Sequence, residues 1–185
     1  MTRIEAKHID DVPQLKDILL QGAETMGFMS EDGLIMAHCP EMLGGTSHMI
    51  RSILGDGQIS PVLKRMIGFI FSQSSGCQYC SAHTSYTAVK HGIEKEKLDA
   101  IWEYPSSDLF NLKEKAALQL AHHSSVVPNQ STDADFDELK KHFSTEEIVE
   151  LVFTISLYSF LNTFNSTIKT TIEEEPLSVY KTLQK

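Results

Sequence analysis

The chain contains 185 residues and carries a formal net charge of -9, which argues against nucleic acid or an anionic membrane surface as a partner. No stretch approaches the roughly 18 uncharged apolar residues that a membrane-spanning helix needs, and the charged N-terminus does not match a signal peptide. Three cysteines do not provide the framework of a secreted, disulfide-rich protein, so we expect a cytoplasmic protein.

The spacing of apolar residues predicts a single all-α domain over residues 1–185, with about eight helices and no sheet. Residues 1–10 are predicted to be a mobile leader, and residues 174–185 a short polar tail. The first helix is predicted at 13–26, between Pro13 in its first turn and Gly27 after its end. Further helices are predicted at 34–38, 40–54, 61–72, 81–91, 94–102, 112–125, 133–143 and 148–168.

Two of these helices are apolar around most of their circumference. The first, at 61–72, begins after Ser60-Pro61, a strong helix start. The second begins after a capping box formed by Ser144 and Glu147. One small bundle does not easily cover both helices, so we expect a homo-oligomer built from helix–helix contacts.

The residues that best indicate a chemical function lie in one segment, Gly76-Cys77-Gln78-Tyr79-Cys80-Ser81-Ala82-His83-Thr84. The turn before it places both cysteines in the first turn of a helix, where the dipole and the free N–H groups stabilise a thiolate. At about 100° per residue, Cys80 lies roughly 60° from Cys77, and His83 roughly 60° beyond Cys80. The two sulfurs and the imidazole can therefore share one face, while Tyr79 is expected to point to the opposite face and into the core.

This spacing by itself leaves three interpretations open. The cysteines can form a dithiol/disulfide couple, they can bind a metal with His83, or they can be small buried residues without chemistry. A metal site would need a fourth ligand from His38, Cys39 or His48. Because the three ligands crowd one helical turn and no second cysteine pair exists, we predict no metal and no cofactor.

The chain resembles the carboxymuconolactone decarboxylase / alkylhydroperoxidase-D-like family over roughly residues 27–173. The most specific part is the pattern S-x-G-C-x-Y-C-x-A-H-T at 74–84, after an apolar helix. Supporting segments are M-A-H-x-P-E-M-L at 36–43, G-I-x-x-x-K-L at 92–98, T-D-A-D-F at 132–136 and F-L-N at 160–162. The resemblance implies an all-α fold that assembles into dimers, trimers or hexamers.

The resemblance also implies a thiol peroxidase or disulfide-reductase activity. In the peroxidase members the second cysteine attacks the peroxide and the first resolves the sulfenic acid, so Cys80 would be peroxidatic and Cys77 resolving. The position in the helix favours Cys77 as the more acidic thiol. The two assignments agree if His83 activates Cys80 and Cys77 exchanges with an external reductant.

The chain departs from the peroxidase members at two positions. They place the histidine four residues after the second cysteine, where this chain has Thr84, and they carry a relay glutamate where this chain has Arg65. A guanidinium does not act as a base at neutral pH, but it can lower a thiol pKa or hold an anion. His38 lies in a resembling segment and could either line the pocket or serve packing.

These features predict a thiol-dependent hydroperoxide reductase that cycles Cys77 and Cys80 between dithiol and disulfide. Its electrons would come from an external dithiol or a thioredoxin-like reductant. Two alternatives remain: a disulfide-exchange or redox-sensing protein without efficient peroxidase turnover, and a metal-binding scaffold. Lactone decarboxylation is not expected, because the decarboxylase members lack the cysteine pair.

Overall fold

The computed structural model describes residues 2–183 and contains ten α-helices and no β-strand within them. The all-α prediction is therefore confirmed, with ten helices where about eight were expected. Three short 3₁₀ segments, at Ile9–Asp11, Pro13–Leu15 and Ile101–Glu103, complete the helical structure. The helices are α1 (Lys16–Met26), α2 (Glu31–Met36), α3 (Pro40–Leu54), α4 (Pro61–Ser74), α5 (Gln78–Lys90), α6 (Lys95–Asp99), α7 (Leu112–Ser124), α8 (Asp133–Leu139), α9 (Thr145–Ile168) and α10 (Glu174–Thr182).

Helix starts follow the local sequence closely. The Ser60 hydroxyl accepts from the Leu63 amide and opens α4, as the Ser-Pro pair predicts. Ser144 and Glu147 form the predicted capping box of α9. Because such caps satisfy amides that have no partner within the helix, they fix each start to within a residue.

Helix α4 lies at the centre of the molecule, where it packs against α5, α7 and α9. Every residue from Leu63 to Ser72 is buried. Among them is Lys64, whose Nζ lies 2.6 Å from Oε1 of Glu150 and donates to the Gly55 carbonyl at 2.8 Å. A buried ammonium is tolerated only with such partners, so this pair anchors α9 to the start of α4.

Gly68 allows α4 and α9 to approach closely, because a Cβ at this position would overlap the ring of Tyr158. We expect Gly68→Ala to lower the free energy of unfolding by about 1–3 kcal/mol, the usual cost of overpacking a core. Gly45→Ala, a helical glycine with open space around its Cβ position, should instead be neutral or stabilising by up to about 1 kcal/mol. Chemical denaturation of both variants checks this, and equal effects would contradict it.

The two chain ends differ from the prediction. The segment 174–185 was predicted to be a polar tail, but its described part forms α10, which packs on α5. Pro176 lies in the first turn of α10, where proline is compatible with a helix. The predicted mobile leader forms backbone hydrogen bonds: the Arg3 amide donates to the Ile168 carbonyl at 2.9 Å, and Lys7 to Leu34 at 3.2 Å.

The long helix α9 has one face open to solvent, with Val149, Val152, Phe153 and Phe160 exposed. Within residues 2–183, α9 alone has the length and apolar composition of a membrane span, and about a third of it is buried in the molecule. Helix α4, by contrast, is covered by the chain itself. The homo-oligomer therefore stays a prediction, and it now depends on α9 rather than on both helices.

Candidate active site

The cysteine pair lies at the start of α5, where Cys77 is the N-cap and Cys80 belongs to the first turn. Gly76 precedes them with a φ of +74°, a backbone conformation that favours glycine. The Cys77 sulfur accepts a hydrogen bond from the Cys80 amide at 3.4 Å. Both residues are free thiols in this structure, with 2% and 5% of their surfaces exposed.

A buried asparagine on α9 holds the turn that leads into the pair. The Asn162 amide donates to the Ser72 hydroxyl at 3.1 Å and its carbonyl oxygen accepts from the Ser75 hydroxyl at 2.8 Å. The Ser72 carbonyl in turn accepts from the Cys77 amide at 3.1 Å. Since each of these polar groups is paired, the turn is fixed and the thiols have a defined position.

The pKa values of the two thiols are shifted in opposite directions. A hydrogen bond from the Cys80 side chain, aided by the α5 amides, lowers the pKa of Cys77 although burial opposes it. The same bond, together with burial, raises the pKa of Cys80 far above its ordinary value. Cys77 is therefore the thiol of the pair that ionises first, while Cys80 keeps its proton longer. This order agrees with the expectation for a helix N-terminus, but its largest cause is the neighbouring thiol.

The ring of His83 binds a carboxylate that lies 90 residues further along the chain. Its Nε2 is 2.6 Å from Oε2 of Glu173, just before α10. The Tyr79 hydroxyl donates to the other oxygen of Glu173 at 3.0 Å, and the Tyr79 ring stacks on His83 with centroids 4.0 Å apart. The expectation that Tyr79 points away from the site is therefore wrong: residues four apart on a helix share a face, and this spacing could have predicted the contact.

The Glu173 carboxylate is kept ionised despite its burial. Burial alone would raise its pKa, but hydrogen bonds from His83 and from the Glu31 amide, at 2.5 Å, hold the pKa below the usual value. A second carboxylate, Asp32, lies close enough to raise the pKa of both cysteines. Asp32 accepts a hydrogen bond from Asn165 at 3.2 Å. Acidic groups thus surround the thiol end of the site.

An apolar cavity of about 360 Å³ opens in front of Cys80, while Cys77 lies behind it and does not line it. Cavities of this size hold small organic molecules. Polar groups in the lining include His83, Thr84 and Arg65, and its apolar walls include Leu19, Met36, Leu43, Leu54 and Leu161. The geometry can therefore present one thiol of a dithiol pair to an apolar ligand.

The model of the carboxymuconolactone decarboxylase family matches residues 40–123, a segment that includes α4, the cysteine pair and α5. The solved structures that share this fold include an alkylhydroperoxidase AhpD core protein and a second peroxidase-related protein. Residues 40–123 therefore belong to the carboxymuconolactone decarboxylase family. The family-level prediction from the cysteine motif is confirmed.

Relatives of the chain cover different parts of it. It is 30% identical over 108 residues to the uncharacterized protein YnjA of Escherichia coli K12, over 58% of this chain and 59% of that protein. The debrominase Bmp8 is 28% identical over 100% of this chain and 99% of its own, with a TM-score of 0.92. A cysteine-to-alanine variant of Bmp8 was solved with 2,3,4-tribromopyrrole. A peroxidase-related protein of Ralstonia eutropha JMP134, at 18% identity and a TM-score of 0.85, shares the fold. Family and neighbours together indicate an enzymatic activity.

The structure brings together most of the site residues predicted from the family motif. Thr84 is buried and donates to the Cys80 carbonyl at 2.7 Å, so its hydroxyl serves the helix rather than a proton relay. Arg65 lines the cavity, as an auxiliary pocket residue should. His38 lies elsewhere, exposed and outside the cavity lining, with Nε2 2.9 Å from the Glu5 carbonyl, so of its two possible roles this structure does not show the one in the pocket.

Metal ligands are not grouped in the described part of the chain, where no three His, Cys, Asp or Glu side chains are close enough to hold an ion. Cys39 is exposed and lies outside the cavity lining. The sequence did not predict Asp32 and Asn165, which act on Cys80, or Glu173, which contacts His83. Their types gave no signal, because an acidic or amide residue near a helix end is common.

Proposed function

We propose that the protein is a thiol-dependent reductase of organic hydroperoxides that cycles Cys77 and Cys80 between dithiol and disulfide. One observation supports this most: the cavity is apolar, and the sulfur that faces it belongs to a buried pair of neighbouring cysteines, one of which has a lowered pKa. A peroxide substrate needs a nucleophilic sulfur in a water-poor site and a second thiol to complete the cycle. An apolar lining favours an organic hydroperoxide over hydrogen peroxide.

The first step transfers two electrons from sulfur to the peroxide. The Cys80 sulfur attacks the terminal oxygen, the O–O bond breaks, and the Cys80 proton moves to the Cys77 thiolate. The products are a Cys80 sulfenic acid, a Cys77 thiol and an alkoxide, which takes up one proton to become the alcohol. The second step joins Cys77 to the sulfenic sulfur and releases water, which leaves a Cys77–Cys80 disulfide.

The His83–Glu173 pair takes the place of the relay glutamate that the resembling peroxidases carry. We assign to His83 the protonation of the leaving alkoxide, since its ring lines the cavity beside Cys80. The 2.6 Å contact with Glu173 fixes the ring orientation. Glu173, at the start of α10, therefore supplies in this chain the carboxylate that Arg65 cannot.

An external dithiol closes the cycle. Thiol–disulfide exchange at Cys77 or Cys80 returns both to the reduced form and converts the external dithiol to its own disulfide. A thioredoxin-like protein or a small dithiol has the required chemistry.

The deciding experiment follows the intact mass of the reduced protein after one equivalent of cumene hydroperoxide. We expect a fast loss of two hydrogens that maps to a Cys77–Cys80 disulfide, with one equivalent of 2-phenyl-2-propanol formed. Oxidation no faster than that of free cysteine would overturn the proposal. In that case disulfide exchange with a protein partner becomes the favoured activity of the pair.

Reductive dehalogenation is the second candidate, because the debrominase Bmp8 matches the whole chain with 28% identity. The same dithiol can remove a halogen: sulfur takes the halogen as a sulfenyl halide, the ring carbon takes a proton, and the second thiol displaces halide. Bromide release from 2,3,4-tribromopyrrole with dithiothreitol, measured by ion chromatography, would favour this reaction. Peroxide reduction without bromide release would exclude it.

A further inference from the structure

A buried guanidinium in the cavity has no counterion. Arg65 is 8% exposed and lines the same cavity as Cys80. Within residues 2–183, none of the salt bridges includes Arg65, and its Nε and Nη1 atoms have no hydrogen-bond partner. A buried charge without a partner destabilises a fold. Arg65 therefore has donors available for something that the cavity binds.

The neighbours of Arg65 do not neutralise it. Its Nη2 lies 3.5 Å from Nε2 of His91. Burial, and then the charges of Arg65 and Lys90, lowers the pKa of His91 and favours the neutral ring. Burial raises the pKa of Tyr158, and the charge of Arg65 together with a hydrogen bond from its guanidinium only partly opposes this, so the phenol stays neutral. Both neighbours are polar, but neither carries the negative charge that would pair with the guanidinium.

Arg65 and the thiols lie at opposite ends of a helical hairpin. Arg65 meets His91, just beyond the end of α5, whereas Ser72 meets Cys77 at its start. Ser72 lies seven positions after Arg65 on α4, which corresponds to about 10 Å along the helix axis. Because helical side chains lean towards the N-terminus of their own helix, Arg65 and Cys80 lean away from each other. A ligand that reaches both must be elongated.

The charge distribution gives such a ligand one orientation. The acidic groups Asp32 and Glu173 lie at the thiol end, as their effects on the cysteines and on His83 show. The unpaired positive charge lies at the other end. An anion is therefore attracted to Arg65 and repelled from Cys80, while the apolar walls between them favour a hydrocarbon body.

We propose that Arg65 binds the carboxylate of the substrate, and that the substrate is an apolar molecule with a carboxylate at one end and the reducible group at the other. The reducible group, a hydroperoxide, rests on the function proposed above. The carboxylate does not, because it follows from the unpaired guanidinium alone. Arginine is well suited to this role, since its charged N–H groups form strong hydrogen bonds to carboxylate oxygens.

Binding is tested with two unreactive probes of nearly the same shape, 4-isopropylbenzoate and 4-isopropylbenzamide. Calorimetry on the reduced protein should show the benzoate binding roughly 10- to 100-fold more tightly, the scale of a charge-assisted hydrogen bond. Arg65→Gln should remove this preference. Arg3→Gln, which removes an exposed positive charge outside the cavity lining, should keep it. Equal affinity of the wild-type protein for both probes overturns the inference.

Kinetics separate this inference from the proposed function. We compare cumene hydroperoxide with its para-carboxylate derivative, and expect the carboxylate to have the higher kcat/KM in the wild type and to lose that advantage in Arg65→Gln. Reduction of both at equal rates would refute the carboxylate site and leave the peroxidase standing. Tight binding of the benzoate with no reduction of either would refute the peroxidase and support the site.

Stability distinguishes a binding role from a structural one. Because an unpaired buried charge is unfavourable, Arg65→Met should melt at the same temperature as the wild type or higher in the absence of ligand. The benzoate should raise the melting temperature of the wild type and leave that of Arg65→Met unchanged. A clear loss of stability in Arg65→Met, with benzoate stabilisation kept, would show that Arg65 serves the fold instead.

Discussion

Cys80→Ala is expected to abolish hydroperoxide reduction, because Cys80 is the thiol that faces the cavity. The fall in kcat/KM should be on the order of 10³-fold or more, the scale seen when a catalytic nucleophile is removed. Cys77→Ala should still consume one equivalent of hydroperoxide and leave one oxygen on Cys80 as a sulfenic acid, but more slowly, because the thiolate that accepts the Cys80 proton is gone. Peroxide consumption and intact mass, measured in a single turnover, distinguish the two variants.

Exposed Cys39 provides the matched control for this pair. Cys39→Ala should keep both the turnover rate and the disulfide, since this thiol lies outside the cavity lining. The roles of Cys77 and Cys80 are reversed if Cys80→Ala forms a sulfenic acid on Cys77 while Cys77→Ala does not react.

Because the two thiols interact, replacing Cys80 should change the pH at which Cys77 becomes reactive. The pKa of Cys77 is lowered first of all by the thiol of Cys80, so replacing that thiol by alanine should move the alkylation midpoint of Cys77 upwards. Cys80→Ser keeps a hydroxyl donor and should move it less. In the wild type, the reactive state forms as pH rises through the lowered Cys77 pKa, so activity should appear below the pH at which an ordinary thiol ionises.

The part of the site that the sequence predicted lies on one helix. Spacing of three residues within α5 is enough to bring Cys77, Cys80 and His83 to one face, because helical geometry is local. Caps such as Ser60 and Ser144 likewise fix where helices begin from a few neighbouring residues. The family resemblance then supplied the fold and the type of chemistry, which local spacing does not contain.

The part that the sequence did not predict depends on tertiary packing. Glu173 follows α9 and precedes a helix that was expected to be a tail, and its contact with His83 spans 90 residues. Nothing in the residues around Glu173 distinguishes it from Glu174 or Glu175, which are exposed. The burial of Lys64 could not be predicted from the sequence either. A lysine in an apolar helix is usually expected at the surface, but here an ion pair with Glu150 makes its burial possible.

Glu173→Gln is expected to reduce kcat/KM for alkyl hydroperoxides by roughly 10- to 100-fold, less than the full effect of losing an acid–base group. The amide keeps the shape of the side chain but loses the negative charge that contacts the His83 ring. Glu174→Gln, the same change at the neighbouring exposed position, should leave kcat/KM unchanged. Steady-state rates of the two variants, measured side by side at neutral pH, check the expectation.

A leaving-group comparison shows whether Glu173 acts through His83 on the chemistry. If His83 protonates the departing oxygen, its loss matters most when that oxygen is strongly basic. Glu173→Gln should therefore slow the reduction of tert-butyl hydroperoxide far more than that of a peracid, whose leaving carboxylate needs little protonation. An equal loss on both substrates would assign Glu173 a purely structural role.

The pH dependence of stability provides an independent test of the same contact. The pKa of Glu173 in the folded protein is held below its ordinary value of 4.5, so its carboxylate stabilises the fold above about pH 4.5, and this contribution is lost as pH falls through the folded pKa. Glu173→Gln should thus be less stable than the wild type at neutral pH, and the difference should shrink in acid. A difference that persists unchanged at low pH would mean that packing of the side chain, rather than its charge, holds α10 against α5.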